Sequence, residues 1–139
     1  MVAVALASLT LSCGGGSSSN QPSAPSAPSA PAITPANLVS VGQGSWTHCI
    51  LGKCAFAASI ENQGAGCASG TAVTVRFYDA NQAQAGPDLT MAAVGGLSSL
   101  TIRPGQVVAL QTLQTSEASV MNATKTYRLF PSWNNVVCP

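Results

Sequence analysis

The sequence predicts an all-β domain, on three observations. Apolar residues alternate with small or polar ones in two neighbouring segments, and alternation with a period of two is typical of half-buried strands. No window longer than ten residues keeps a convincing helical period. Charged residues make up only 6% of the chain, far below the usual proportion of about a quarter. Solubility must then depend on Ser, Thr, Asn and Gln, which is common in exported β-rich proteins.

The centre of the predicted fold is a pair of strands between Cys54 and Asp79, joined by a turn. The turn segment ENQGAGCASG supplies glycines and an asparagine where the chain must reverse. The residues expected to face the core are Phe56, Ala58 and Ile60 before the turn, and Val73, Val75 and Phe77 after it. This pair should form the core of the domain.

The chain opens with an apolar run, VAVALASLTLS, of about a dozen residues, which is too short to cross the ~30 Å hydrocarbon core as a helix. It is typical of the hydrophobic region of a signal peptide, placed here at residues 1–12. Ser12, Cys13 and Gly14 follow and resemble the lipobox of bacterial lipoproteins, which implies a lipid on Cys13 and attachment to the membrane. Thr10 stands where that family prefers leucine, and no Lys or Arg precedes the run. The alternative is an ordinary cleaved signal and a soluble secreted protein.

Residues 13–37 are expected to form a disordered tether rich in Pro, Ala and Ser. A Ser-Ala-Pro triplet repeats three times from Ser23 to Pro31. Proline at every third residue favours extended polyproline II, which holds a module away from its anchor. At ~3.1 Å per residue the segment from Cys13 to Asn37 reaches up to roughly 75 Å. A disordered tail without an anchored end is the alternative.

The folded domain is predicted to span residues 38–139, with no convincing long helix. A first strand begins at Leu38 in LVSVGQGSW. Beyond the central pair, the predicted elements are a turn at 79–86, a weak edge strand at 89–94, a Pro-Gly turn at 104–105, a strand at 107–113, a polar stretch at 115–126 with one helical turn at SEASVM, and a last strand at 127–133.

The order of these turn signals resembles the FxLYD-type and related CARDB-like modules of the bacterial envelope. The segments are SIENQG, TVRFYDA, IRPGQVV and YRLF, in that order. Val75, Phe77, Tyr78 and Asp79 occupy the motif that names the family, with Val75 in place of its phenylalanine, and Ile102 replaces the leucine of the Pro-Gly turn. The resemblance implies an immunoglobulin-like antiparallel β-sandwich of about seven strands. It implies a fold more than a function, because these modules share no common active site.

Four cysteines remain besides Cys13, and an even number in a small exported domain indicates two disulfides. Four cysteines allow three pairings. In the topology implied by the resemblance, the loop after the second strand lies near the far end of the strand that pairs with the third. That topology places Cys67 beside Cys138 and leaves Cys49 and Cys54 to close a local ring. The alternative is a metal site that includes His48, Cys49, Cys54 and Cys67, although their spacing is poor for zinc.

Catalysis has little support in the sequence. His48 is the single histidine, so a serine-hydrolase triad or a histidine acid–base pair would have to use it. No Gly-x-Ser-x-Gly elbow is present, and the carboxylates are scattered over predicted turns and loops. The formal net charge of +1 supports neither nucleic-acid binding nor docking on anionic lipid. No catalytic residue, metal or cofactor is therefore predicted.

Three aromatic residues are candidates for a binding surface. Trp46 and Trp133 are expected to pack in the domain, whereas an exposed tryptophan would serve as a carbohydrate platform or a partner anchor. Tyr78 belongs to the family-like motif at the end of the third strand. The expected function is that of an exported, non-catalytic envelope lipoprotein whose module binds or positions another envelope protein or glycan. The alternatives are a small hydrolase or metal-binding protein centred on His48 and a purely structural spacer.

Overall fold

The computed structural model describes residues 28–93 and 95–139. The predicted signal peptide, Cys13 and most of the predicted tether lie outside these residues. The elements, in chain order, are β1 (Leu38–Ile50), β2 (Lys53–Asn62), β3 (Cys67–Tyr78), β4 (Leu89–Ala92), β5 (Val107–Thr112), α1 (Ala118–Ala123) and β6 (Thr126–Val136).

The strands form one antiparallel sheet in the order β1-β2-β5-β4-β3-β6. The prediction of an all-β fold is confirmed. The described residues contain six strands in one continuous curled sheet, so the sandwich of about seven strands stays a prediction. The helical turn expected at SEASVM lies a little later in the chain, as the single-turn helix α1.

The curl of the sheet brings an aromatic cluster together in the core. The ring centroids of Phe56 and Phe77 lie 5.0 Å apart in an edge-to-face arrangement. Trp46 lies 4.8 Å from Phe77, and Tyr127 lies 4.8 Å from Phe56. Because Phe56 belongs to β2 and Phe77 to β3, these contacts join the two halves of the sheet. The inward-facing residues predicted for the central pair of strands are all buried.

The short strand β4 corrects one detail of the sequence analysis. A weak edge strand was expected at 89–94, but β4 ends at Ala92 and lies inside the sheet between β3 and β5. Leu89 and Met91 are both buried. A segment of four residues is a weak sequence signal for a strand. Its neighbours β3 and β5 pair with it only in the folded sheet. Val94 lies outside the described residues.

Asn62, at the end of β2, organises the turn into β3 and is fully buried. Its side-chain Nδ2 donates hydrogen bonds to the carbonyl oxygens of Gly66 and Ile102, at 2.7 and 3.0 Å. Its Oδ1 accepts from the backbone N–H groups of Asn37 and Gly64, both at 3.0 Å. All four hydrogen-bonding positions of the amide are therefore used by backbone groups.

Residues 34–37 pack against this turn, so contact with the domain begins before the predicted boundary at residue 38. The N–H of Gly66 donates to the carbonyl of Pro35 at 3.0 Å, and the N–H of Ala36 donates to Asn135 Oδ1 at 2.8 Å. The Ala36 side chain belongs to the buried core. A Cβ on Gly66 would overlap the Thr34 carbonyl oxygen, so only glycine allows this approach.

The structure contains the disulfides Cys49–Cys54 and Cys67–Cys138, which is the pairing expected from the sequence. Cys67–Cys138 fastens the chain after β6 to the start of β3, beside the turn organised by Asn62. We call the region formed by residues 34–37, the turn at 63–66 and this disulfide the closed end. Cys49–Cys54 lies at the opposite end of β1 and links β1 to β2.

Candidate functional site

The two outer strands of the sheet, β1 and β6, border a groove of about 760 Å³. We call it the seam groove, because it lies where the curled sheet would have to close to become continuous. A volume of this size is within the range of ligand pockets. Its lining residues are Ser40, Gly42, Gln43, Gly44, Trp46 and Phe56 on one side, and the consecutive residues 124–130 on the other.

A bulge in β1 shapes the groove. The pairing of β1 with β2 is interrupted between Val41 and Ser45, and Gly42 adopts a φ of +70°. A Cβ on Gly44 would overlap the ring of Phe56 and lie 2.9 Å from Tyr127 Cε1. Glycine at position 44 therefore lets both rings pass beneath β1. The floor of the groove is aromatic and continuous with the core.

The free edge of β6 faces the groove. Pro131 pairs with Val73 of β3, and a proline inside a sheet is confined to positions whose nitrogen faces a free edge. Because the backbone direction alternates along a strand, Leu129 and Tyr127 present their N–H and C=O groups to the same edge. Pro131 has no N–H, so it interrupts the row of edge donors directly after the part of β6 that lines the groove.

The rim of the groove is cationic. Of the five basic side chains, Lys53 pairs with Glu117 at 2.7 Å, and Arg76 pairs with Asp88 at 2.6 Å. Lys125 and Arg128 line the groove and have no carboxylate within salt-bridge distance among the described residues. They add positive charge to a groove that is also lined by the polar side chains of Ser40, Gln43, Thr124 and Thr126 and by aromatic rings.

The outer face of β3 and β6 carries an arginine–aromatic ladder next to the rim. The Arg128 guanidinium lies 5.4 Å from the ring centroid of Tyr78, and that of Arg76 lies 5.1 Å from the ring of Phe130. Two hydrogen bonds from Arg76 to Asp88 hold the pKa of the Asp88 carboxyl below its usual value, and the Asp88 carboxylate raises the pKa of Arg76. The contact with Tyr78 places the Arg128 guanidinium on the outer face at the rim of the groove.

The three aromatic candidates from the sequence lie in different places. Trp46 is half-buried and lines the seam groove, Tyr78 lies on the outer face against Arg128, and Trp133 is half-buried against the core. The Trp133 indole N–H donates to Asn135 Oδ1 at 3.2 Å. The structure does not bring the three into one surface.

The sequence analysis did not identify Phe56 and Tyr127 as groove residues. The signal in the sequence was the pair of glycines in GQG inside the first strand, which indicates a bulge there.

His48 is exposed and lies in a polar, uncharged environment. Its Nδ1 lies 3.0 Å from Gln111 Nε2 and 3.2 Å from Thr47 Oγ1. Its neighbour Cys49 and the other two cysteines of the alternative metal set are in disulfides, so they are not free thiolates. Within residues 28–93 and 95–139, no group of three or more His, Cys, Asp or Glu residues comes together as a metal site.

Comparison with known proteins gives no family assignment. No protein-family model, curated protein or solved structure matches the chain. In the described part of the chain, no helix is long and apolar enough to span a bilayer.

Proposed function

We propose that this protein is a non-catalytic binding module of the bacterial envelope, and that the seam groove receives an extended segment of a partner protein. The observation that carries the proposal is the groove itself, which lies between two strand edges and has the half-buried rings of Trp46 and Tyr127 in its lining and the buried ring of Phe56 beneath them. An added strand would bond to the backbone of Tyr127 and Leu129 and place alternate side chains over Phe56 and Trp46. Strand addition of this kind takes affinity from the main chain and specificity from side-chain pockets.

The chemistry of the groove favours a peptide over a glycan. The N–H and C=O groups of Tyr127 and Leu129 at the strand edge match the backbone of an extended peptide, which a glycan lacks. The polar side chains of Ser40, Gln43, Thr124 and Thr126 also line the groove. Lys125 and Arg128 at the rim favour a segment with an acidic residue near one end. The partner segment is therefore expected to alternate apolar residues and to carry a carboxylate.

The proposal includes the finer features expected from the sequence. The domain is an immunoglobulin-like module of the FxLYD or CARDB type, exported by the signal peptide at residues 1–12. A lipid on Cys13 attaches it to the membrane, and the Pro/Ala/Ser-rich tether holds the domain away from the anchor. The order of apolar run, cysteine, tether and disulfide-bonded domain supports this arrangement.

The wild-type protein should partition into detergent, and Cys13→Ser should not. A fully soluble wild type whose mature N-terminus lies elsewhere would contradict the anchor.

Site-specific crosslinking in the native envelope tests the groove. A photo-reactive amino acid at Thr126, an exposed groove residue, should capture a partner, whereas the same amino acid at Ala109, exposed on β5, should not. The captured segment, made as a peptide, should slow amide hydrogen exchange at Tyr127 and Leu129 because it bonds to that edge. Ser40→Arg fills the groove from an exposed position and should abolish capture.

Other outcomes count against the proposal. A captured glycan, or a captured protein that leaves amide exchange at the β6 edge unchanged, would show that the groove does not work by strand addition. Equal capture at Thr126 and Ala109 would show that the groove is not the binding site.

A further inference from the structure

The turn between β1 and β2 has an extra residue on the β1 side. Thr47 pairs with Ala55, and Ile50 pairs with Lys53. Two residues lie between these pairs on β1, whereas only one lies between them on β2. β1 therefore carries a one-residue bulge, and the pairing beyond the bulge is shifted by one residue. We call residues 48–54 the β1–β2 turn.

This register places two non-glycine residues in the left-handed region. His48, in the bulge, has a φ of +50°, and Leu51 and Gly52, in the loop, have φ values of +50° and +76°. A two-residue hairpin loop with both φ values positive strongly favours Asn-Gly or Asp-Gly. The left-handed conformation is costly for histidine and leucine because it brings Cβ close to the following carbonyl oxygen. Among the described residues, Gln82 is the only other non-glycine residue with a positive φ.

The Cys49–Cys54 disulfide holds the β1–β2 turn in this register. The Cα atoms of the two cysteines lie 4.0 Å apart, because the shifted pairing makes them direct cross-strand neighbours. Cys54 is buried and exchanges two backbone hydrogen bonds with Ser116, at 3.1 and 2.7 Å. Cys49 is exposed and belongs to the outermost strand of the sheet. The bridge therefore ties a residue at a free edge to a residue fixed inside the sheet.

A second register avoids both costly conformations. Continuing the pairing of Thr47 and Ala55 without the bulge brings Cys49 opposite Lys53. The loop then has three residues, of which Gly52 is the last. Three-residue hairpin loops commonly combine a type I turn with a final residue in the left-handed region, and glycine suits that position. Neither of the two strained side chains then needs a positive φ.

We propose that the β1–β2 turn is a redox-sensitive switch, in which the Cys49–Cys54 bridge imposes the bulged register and its reduction lets the end of β1 slip by one residue. Such a slip turns each side chain that moves to the opposite face of the sheet. His48 leaves Gln111, whose Nε2 lies 3.0 Å from His48 Nδ1 in the bridged form. The Cys49 thiol turns away from Cys54, so the bridge re-forms only after β1 slips back.

A dithiol, on a protein or a small molecule, supplies the electrons for the switch. Its thiolate attacks the Sγ of Cys49, the exposed partner, and Cys54 leaves as a thiolate that takes up a proton. The second thiol of the dithiol then attacks the mixed disulfide and releases Cys49 as a thiol. The dithiol becomes a disulfide, and two electrons and two protons pass to the two cysteines.

Nuclear magnetic resonance of the full chain tests the slip, with Cys13→Ser present so that no lipid or intermolecular disulfide forms at that position. The oxidised protein should show close contacts between backbone protons of Ile50 and Lys53. Cys49→Ala together with Cys54→Ala removes the bridge. In this pair of substitutions, contacts between position 49 and Lys53 should replace those of Ile50.

Two further signals in the same spectra make the test specific to the register. The coupling constant between the amide and α protons of His48 should indicate a positive φ in the oxidised protein and a negative φ without the bridge. The contacts between Thr47 and Ala55 should stay the same, because the slip begins after that pair.

Leu51→Asn tests whether the left-handed residues drive the switch. Asparagine adopts this conformation readily, and Asn-Gly is the favoured pair for the two-residue loop. In mixtures of oxidised and reduced dithiothreitol, the equilibrium constant for reduction of Cys49–Cys54 should fall about tenfold, because the bridged form is relieved of one left-handed leucine. Leu113→Asn removes another exposed leucine, outside the turn, and should leave that constant unchanged.

Relieving both strained residues should prevent the slip. With His48→Gly and Leu51→Asn together, the protein without the bridge should keep the contacts between Ile50 and Lys53.

Three results would overturn the inference. One is the bulged register persisting after the bridge is removed from the otherwise unchanged turn. Another is the loss of both sets of contacts, which would show that the bridge maintains order and does not select a register. The third is an equilibrium constant for reduction that does not respond to Leu51→Asn or responds equally to Leu113→Asn.

Discussion

The closed end and the turn between β1 and β2 each carry one disulfide, yet they use it differently. At the closed end, Cys67 is fully buried, and the amide of Asn62 has every hydrogen-bonding position satisfied. At the β1–β2 turn, Cys49–Cys54 closes a loop whose apolar side chains, Ile50 and Leu51, are exposed. The first disulfide adds to a packed junction, and the second fixes the shape of an exposed turn. Stability should therefore depend more on the closed end than on the β1–β2 turn.

The largest stability effect should come from Asn62→Ala. The change leaves the N–H groups of Asn37 and Gly64 and the carbonyl oxygen of Gly66 without their side-chain partner, while the Ile102 carbonyl keeps the N–H of Ala68 as its donor. Each of the three losses costs about 1.5 kcal/mol, so the free energy of unfolding should fall by about 4 to 5 kcal/mol in urea denaturation.

Asn135→Ala is the matched control for Asn62→Ala. Asn135 also accepts two hydrogen bonds, from Ala36 N–H and the Trp133 indole, but it is exposed. Its loss should cost about 1 kcal/mol, because water replaces both bonds. Equal costs for the two asparagines would mean that the burial of Asn62 adds nothing to the cost of losing its hydrogen bonds.

The next effect should come from replacing Cys67 and Cys138 with alanine. This bridge joins residues 71 apart in sequence, whereas Cys49 and Cys54 are 5 apart. The chain-entropy model gives about 4 kcal/mol for the long ring and about 2 kcal/mol for the short one. Calorimetry should show a larger fall in melting temperature for the long-ring variant, and reductant should remove the difference. A larger loss from the short ring would reverse the comparison between the two ends.

Two glycine substitutions compare the packing of the closed end with that of the groove. In Gly66→Ala the new Cβ meets the Thr34 carbonyl, which is backbone and cannot rotate away, so the cost should be about 2 to 3 kcal/mol. In Gly44→Ala the Cβ meets the rings of Phe56 and Tyr127, which are side chains and can adjust more than backbone can. That cost should be about 1 kcal/mol. Urea denaturation should rank the variants in this order, and the opposite ranking would mean that the groove is as tightly packed as the closed end.

The smallest effect should come from Asp88→Asn, on a surface that belongs to neither end. The pKa of Asp88 is lowered in the folded protein by hydrogen bonds from Arg76. Its contribution to stability is therefore present at neutral pH and is lost as pH falls through the folded value, below about 4. Asp88→Asn should lower the melting temperature slightly at pH 7, and its effect should shrink as the pH falls and Asp88 becomes protonated. A larger effect at pH 2 than at pH 7 would contradict the sign of the shift.

Much of the fold could be predicted from local patterns. The alternation around Phe56 and Val75 gave the central strands, and ENQG gave the turn between them. The place of β4 could not be predicted, because its neighbours come from distant parts of the chain. The seam groove was also missed, because it depends on how far the sheet curls and on which two strands remain at the edges. The glycines of GQG gave a signal for a bulge but not for what the bulge exposes.

The position of residues 34–37 has a mechanical consequence. A pulling force applied between the N-terminal segment and the turn that joins β1 to β2 enters at the start of β1 and leaves at its end. β1 has 13 residues and is already extended, to about 43 Å at ~3.3 Å per residue. We predict that this force is carried by the covalent backbone of β1 alone. The distance between the two pulling points should therefore increase little before the domain unfolds. Single-molecule pulling between residue 34 and residue 51 should show a short, stiff extension, whereas pulling between residue 34 and residue 126 should release the sheet in longer steps.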